Sequence, residues 1–209
     1  MFSLLKYFGI EECELEKYAK INPYLAVRDS VEDKDVVILG EYHGSPIIEN
    51  FRLKLIPRLC PPFKRVALEI DQSDQEILDF YMKTGKFKKF WHRFWCPFKR
   101  TIQLCRKHSI PVYAVDVRRG LELEPESERR IAKNILELGE RTIVIFGNAH
   151  AAKCGVSLAY YLYQEIGDKL FTIRSEMLDD VRLIRNSTLK KLLDTQPLFI
   201  TEEEFLKKI

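Results

Sequence analysis

The chain has 209 residues, of which 46% are hydrophobic and 31% charged, and its formal net charge is +3. This length fits one domain with its own core, so we predict a single domain over residues 1–209. The composition excludes disordered, collagen-like and low-complexity chains, and no apolar run approaches the roughly 18 residues of a membrane span.

Short apolar runs alternate with helical patterns along the chain. The predicted strands cover 36–39, 66–68, 112–115, 142–146 and 170–173, with a further strand at 181–184. The predicted helices cover 12–20, 46–59 (capped by Ser45), 73–81 (opened by a capping box at Ser73), 97–108, 125–138 and 151–166. Because the strands are apolar throughout and separated by helices, we predict an α/β fold with a mostly parallel central sheet flanked by helices on both faces.

The five cysteines include no C-x-x-C pair, which argues against a disulfide framework or a zinc knuckle. The first residues lack the pattern of a signal peptide, because acidic residues follow a short apolar stretch at once. We therefore expect a cytoplasmic protein with reduced thiols.

Basic and aromatic residues are concentrated in residues 83–100, which hold seven Lys or Arg and no acidic residue. The aromatic residues recur at helical spacing, so the simplest interpretation is a helix with a buried aromatic stripe and a solvated basic face. A basic aromatic lid over a flat or anionic ligand, or peripheral membrane contact through 86–95, are the alternatives. We expect no nucleic-acid partner, because the rest of the chain is acidic and contains no nucleic-acid-binding motif.

Polar residues follow four of the predicted strands at the point where each strand ends. They form pairs two residues apart, namely Glu41/His43, Glu69/Asp71, Asp116/Arg118 and Asn148/His150. Ligands bind beyond the carboxyl ends of the strands in open parallel sheets, so these groups are candidates for a common site. Each pair alone is more simply explained as helix caps or turns, which suits Asp71 and Asn148 best.

Two of the four histidines in the chain lie in these pairs, and this supports a functional site. Two imidazoles and one carboxylate match the set that binds a divalent metal with open positions, which gives His43, His150 and Glu69 as candidate metal ligands. A histidine beside a buried glutamate also suits general-base chemistry on water. Serine hydrolases, nucleoside triphosphatases and dinucleotide enzymes are disfavoured, because their motifs are absent.

The motifs at 40–43 (Gly-Glu-Tyr-His) and 147–150 (Gly-Asn-Ala-His), with Glu69 between them, resemble those of the haem-binding uptake/Tiki superfamily. The closest resemblance is to the ChaN-like branch, over residues 36–165. It implies an α/β fold with the site at the carboxyl edge of the sheet. ChaN-like proteins are associated with haem binding, whereas Tiki-like relatives are metal-dependent proteases and erythromycin-esterase-like relatives are hydrolases.

The resemblance implies that His43, Glu69, His150 and Glu41 are the functional residues of the site. Additional cofactor-binding candidates are Tyr42, Trp91, Arg118 and Asn148. We predict a ChaN-like haem- or metal-binding protein whose partner is a small-molecule or tetrapyrrole ligand, with a homodimer as a candidate assembly. The alternative is a hydrolase that uses a divalent metal or a His/Glu general base.

Overall fold

The computed structural model describes residues 23–86, 96–117, 124–153, 155–175 and 199–201. Three sequence predictions lie outside these ranges: the helix at 12–20, the aromatic stripe at 87–95 and the strand at 181–184. Arg118 and Trp91, two of the predicted cofactor-binding residues, also lie outside them.

A six-stranded sheet forms the centre of the described structure. Its strands are β1 (Val36–Glu41), β2 (Arg65–Asp71), β3 (Val112–Asp116), β4 (Thr142–Gly147), β5 (Leu170–Ser175) and β6 (Phe199–Thr201). They lie in the order β3-β2-β4-β1-β5-β6, and the first five are parallel whereas β6 is antiparallel to β5. The predicted mostly parallel α/β sheet is therefore confirmed.

Helices cover both faces of the sheet, as the apolar strands predict. They are α1 (Pro23–Ser30), α2 (Pro46–Leu59), α3 (Gln75–Thr84), α4 (Lys99–Lys107), α5 (Pro125–Glu137) and α6 (Leu158–Ile166). Alternate residues of each strand point to opposite faces. Val37 of β1 accordingly packs in a core with α1 to α4, whereas Ile38 packs in a second core with α5 and α6.

Helix α2 begins as its sequence predicts. The Ser45 side chain accepts a hydrogen bond from the Ile48 amide, and Pro46 occupies the first turn, where its missing N–H costs nothing. This cap fixes the direction of the chain directly after β1, so residues 42–44 form a short turn at the sheet edge.

Two predicted helix starts are wrong, because other side chains supply the caps. The Ser73 capping box does not form; Asp71 Oδ1 instead accepts from the Ser73 amide at 2.8 Å and from its hydroxyl at 2.6 Å, and a 3₁₀ turn precedes α3. The helix predicted from residue 151 begins at Leu158, where Ser157 caps it. Asn148–Ala151 form a 3₁₀ turn instead, which carries His150.

None of the helices that the structure describes has the length and apolar character needed to cross a membrane.

The strand order determines which strand ends lie next to each other at the candidate site. Strand β4 lies between β1 and β2, so the carboxyl ends of these three strands are neighbours at the centre of one sheet edge. Polar residues there come from distant parts of the sequence but share one location.

Candidate functional site

Glu69 lies at the centre of a cluster at this sheet edge. Its Oε1 is 3.8 Å from His150 Nε2, and its Oε2 is 3.7 Å from His43 Nε2. The Gly147 amide, at the end of β4, donates a hydrogen bond to Oε2 at 2.5 Å and holds the carboxylate in place. The structure thus brings together the three residues His43, Glu69 and His150.

A second carboxylate lies behind each histidine. His43 Nδ1 is 3.0 Å from Glu41 Oε1, and His150 Nδ1 forms a hydrogen bond of 2.8 Å with Glu128 Oε2. The site is therefore a row of carboxylate, imidazole, carboxylate, imidazole and carboxylate. The two ends of this row differ in exposure, because the His43 side chain is 47% exposed whereas His150 and Glu128 are buried. The His43 end of the row is therefore the end that is open to solvent.

Arg52, a buried residue of α2, balances the charge of Glu41. Its Nη1 forms an ion pair with Glu41 Oε2, and its Nη2 donates to the Pro97 carbonyl at 2.9 Å. Burial lowers the pKa of Arg52 to about 10, which is still far enough above neutral pH for the guanidinium to remain charged. The same guanidinium lies 5.7 Å from the Phe98 ring, and that ring meets the His43 ring edge-on at 6.0 Å. Arg52 therefore links the end of β1 to the turn before α4.

Glu128 and Arg52 are site residues that the sequence analysis missed. Each lies on the apolar stripe of its helix: Glu128 shares a face with Ile131 and Ile135, and Arg52 shares one with Leu55. A charged residue at a position where the helical period predicts an apolar one is a signal that could have found both.

Asn148 and Asp71 were also named in the sequence analysis, but neither is a member of the row of histidines and glutamates. Asn148 is buried in the 3₁₀ turn after β4, and its Oδ1 would be 2.6 Å from a Cβ placed on Gly40. Asp71 is exposed and caps the 3₁₀ turn that follows β2, which agrees with the sequence-based explanation of Asp71 as a cap. Asn148 thus packs against the β1 backbone beside the His/Glu row.

Gly40→Ala should lower the free energy of unfolding by about 1–3 kcal/mol, because its methyl group would overlap Asn148 and lie 3.0 Å from the Ile173 carbonyl. Gly147→Ala is the matched control: its backbone, at φ −52°, suits any residue, and the nearest atom would be 3.4 Å from the new Cβ. We expect the control to unfold within about 0.5 kcal/mol of wild type in urea. Equal stabilities of the two variants would contradict the close approach at Gly40.

Tyr42 lies at the rim of the cluster and is 39% exposed. None of the described residues forms a hydrogen bond with its hydroxyl group. Tyr42 also borders a cavity of about 310 Å³, whose other walls include Pro46, Pro97 and Arg52. The Glu41 end of the row therefore borders this cavity.

Within the described ranges, no three His, Cys, Asp or Glu side chains are arranged to hold one metal ion. This applies to the predicted set of His43, Glu69 and His150, whose nitrogen and oxygen atoms face each other in a row. We therefore derive no metal chemistry here, and the set of His43, Glu69 and His150 as metal ligands stays a prediction.

A family model described as "Haem-binding uptake, Tiki superfamily, ChaN" matches residues 27–122. The predicted resemblance to the ChaN-like family is therefore confirmed. The matched range includes Tyr42, His43 and Glu69, whereas His150 lies beyond it. No curated protein sequence matches the chain.

Solved structures share the ChaN-like fold at low sequence identity. ChaN of Campylobacter jejuni, described as binding haem cofacially, is 15% identical, with a TM-score of 0.57 over 87% of this chain and 91% of that one. The effector domain RRSP of a Vibrio vulnificus toxin is 17% identical, with a TM-score of 0.54 over 92% of this chain and 41% of the toxin chain. At these identities the likeness shows the fold.

A third structure with a similar fold is the C-terminal region of Pasteurella multocida toxin, described as having a thiol-protease-like catalytic triad. It is 11% identical, with a TM-score of 0.54 over 83% of this chain and 27% of the toxin chain. In our chain, burial raises the pKa of Cys60, and it raises that of Cys105 to about 12. Neither thiol is therefore ready to act as a thiolate nucleophile.

Proposed function

We propose that this chain binds haem, or a related tetrapyrrole, at the carboxyl edge of its sheet. The observation that carries the proposal is the match of residues 27–122 to a haem-binding uptake family, because this range contains the exposed end of the cluster. The structural likeness to a haem-binding ChaN over most of both chains supports it.

Tyr42 is the best candidate for the axial ligand of the iron. Tyrosine and histidine both serve as haem ligands in proteins. Both ring nitrogens of His43 face carboxylates, at 3.0 and 3.7 Å, so this ring would have to turn away from them to reach iron. None of the described residues forms a hydrogen bond with the Tyr42 hydroxyl, and Tyr42 borders the open cavity.

The cavity beside Tyr42 fits the edge of a tetrapyrrole better than the whole ring. Its walls combine apolar surface from Pro46 and Pro97 with the buried ion pair of Glu41 and Arg52. A volume of about 310 Å³ is at the lower end of the range of small-molecule sites, so most of a macrocycle would lie outside it. The basic residues of 83–100 are candidates to meet the propionates.

A haemin titration followed by absorption spectroscopy tests this proposal. We expect a saturable Soret shift near one haem per chain or per dimer in the wild type, and at least a roughly tenfold weaker affinity in Tyr42→Phe. Tyr163→Phe is the matched control, because Tyr163 on α6 is 38% exposed, as Tyr42 nearly is. It should bind as the wild type does.

Two results would contradict parts of this proposal. No saturable shift in the wild type would exclude haem as the ligand. Saturable binding that Tyr42→Phe leaves unchanged would exclude Tyr42 as the ligand and direct attention to His43.

Hydrolysis is the second candidate function, and the hydrogen bond between Glu128 and His150 favours it. A carboxylate that orients an imidazole is a recurring arrangement of general bases. His150, the imidazole that Glu128 orients, would then be the general base, and His150→Gln should abolish turnover of an ester or peptide. Turnover by wild type without saturable haem binding would favour this function over the first.

A further inference from the structure

Glu128 is a carboxylate without solvent exposure in the interior of the protein. It lies on the face of α5 that packs against the sheet, among Ile131, Ala132 and Ile135. Its Oε2 is hydrogen-bonded to His150 Nδ1 at 2.8 Å. Its Oε1 is buried, and none of the described residues forms a hydrogen bond with it.

A glutamate at position 128 is expected to make the fold less stable than an apolar residue would. A buried polar oxygen without a partner loses its hydration and gains nothing in exchange, and an apolar residue would complete the stripe of α5. The other buried backing carboxylate, Glu41, has Arg52 as its counter-ion. The hydrogen-bond partner of Glu128 is instead a residue of the candidate site, His150.

The hydrogen bond at Nδ1 decides what the opposite nitrogen of His150 can do. An ionised carboxylate has no proton to give, so Nδ1 must carry the hydrogen of this bond. Nε2 of a neutral ring then has a lone pair. It lies 3.8 Å from Glu69 Oε1, which is too long for a direct hydrogen bond between these two atoms.

We infer that Glu128 is the positioning residue of this site, holding His150 in its Nδ1–H tautomer with a lone pair on Nε2. His150 thereby presents a hydrogen-bond acceptor beside Glu69. His150 can then accept an N–H or O–H from a ligand group at this edge of the sheet.

The inference does not depend on haem, because it concerns a proton on His150 in the protein alone. Long-range ¹H–¹⁵N correlation spectra of the imidazole rings, recorded on ¹⁵N-labelled protein at mildly alkaline pH, measure it directly. The signals of His150 are assigned by their absence from His150→Gln. We expect a protonated Nδ1 and an unprotonated Nε2 in the wild type. A protonated Nε2, with or without a proton on Nδ1, overturns the inference.

Glu128→Leu tests the cause of the tautomer. It removes the acceptor but keeps the volume, so we expect a folded protein in which His150 loses the Nδ1–H signature. Glu126→Leu is the matched control, because Glu126 is an exposed carboxylate on the same helix. It should leave the His150 signals unchanged. If Glu128→Leu keeps the wild-type signature, Glu128 does not set the tautomer; if Glu128→Leu does not fold, the wild-type spectrum still decides the inference.

Discussion

Arg52→Met should lower the free energy of unfolding by about 3–5 kcal/mol, because it leaves the buried carboxylate of Glu41 without its counter-ion. The substitution also removes the hydrogen bond to the Pro97 carbonyl, which fixes the turn before α4. Urea unfolding followed by circular dichroism measures the change, provided that the slope of the transition stays constant.

Two further variants separate charge from packing in this prediction. Arg100→Met removes an arginine that pairs with Glu49 at 2.7 Å on the surface, and it should cost no more than about 1 kcal/mol. Arg52→Met combined with Glu41→Leu removes both charges, so we expect much of the lost stability to return. An Arg52→Met protein as stable as the Arg100→Met protein would show that Glu41 does not need its buried partner.

His150→Ala and His43→Ala should differ strongly in stability, although each histidine is the last residue of a Gly-x-x-His motif. His150→Ala leaves the Glu128 carboxylate buried with no described partner at either oxygen, so we expect a loss of about 3 kcal/mol. The His43 side chain is half exposed, and its removal should cost no more than about 1 kcal/mol. Thermal and urea unfolding of the two variants, measured in parallel, check this difference.

The double variant His150→Ala/Glu128→Leu identifies the source of the loss. If the unpartnered carboxylate is responsible, the double variant is more stable than His150→Ala alone. A double variant that is no better than the single one would assign the loss to the packing of the imidazole against Phe146, whose ring centre lies 5.4 Å away. His43→Ala, which we expect to stay folded, is then the better variant for testing haem binding or hydrolysis.

Strand and helix positions followed from local pattern. The apolar runs that predict β1, β2 and β4 are buried along their length, and such runs are stable only when both faces of a sheet are covered. The cap at Ser45 was also predictable, because a serine followed by proline before an apolar period specifies a helix start. The location of Glu41, His43, Glu69 and His150 at one sheet edge follows from parallel strands, whose carboxyl ends meet there.

The partners of the buried charges were decided only by the tertiary structure. Glu128 precedes His150 by 22 residues and meets it because α5 packs on the sheet face beneath the turn after β4. Arg52 meets Glu41 because Ser45 and Pro46 turn α2 back across the end of β1. Sequence patterns mark both residues as charged at apolar positions, but they do not say which group each one meets.

Helix starts at α3 and α6 were decided by competition between nearby hydroxyl and carboxylate groups. Asp71 uses the Ser73 hydroxyl that a capping box would need, and Ser157 supplies a better start for α6 than the turn at Asn148–Ala151. The sequence by itself determined the α/β class, the parallel strands and the edge on which the histidines lie, because these depend on which residues avoid water. The pairing of Glu128 with His150 depended on which distant polar groups lie within hydrogen-bonding distance once the core is packed.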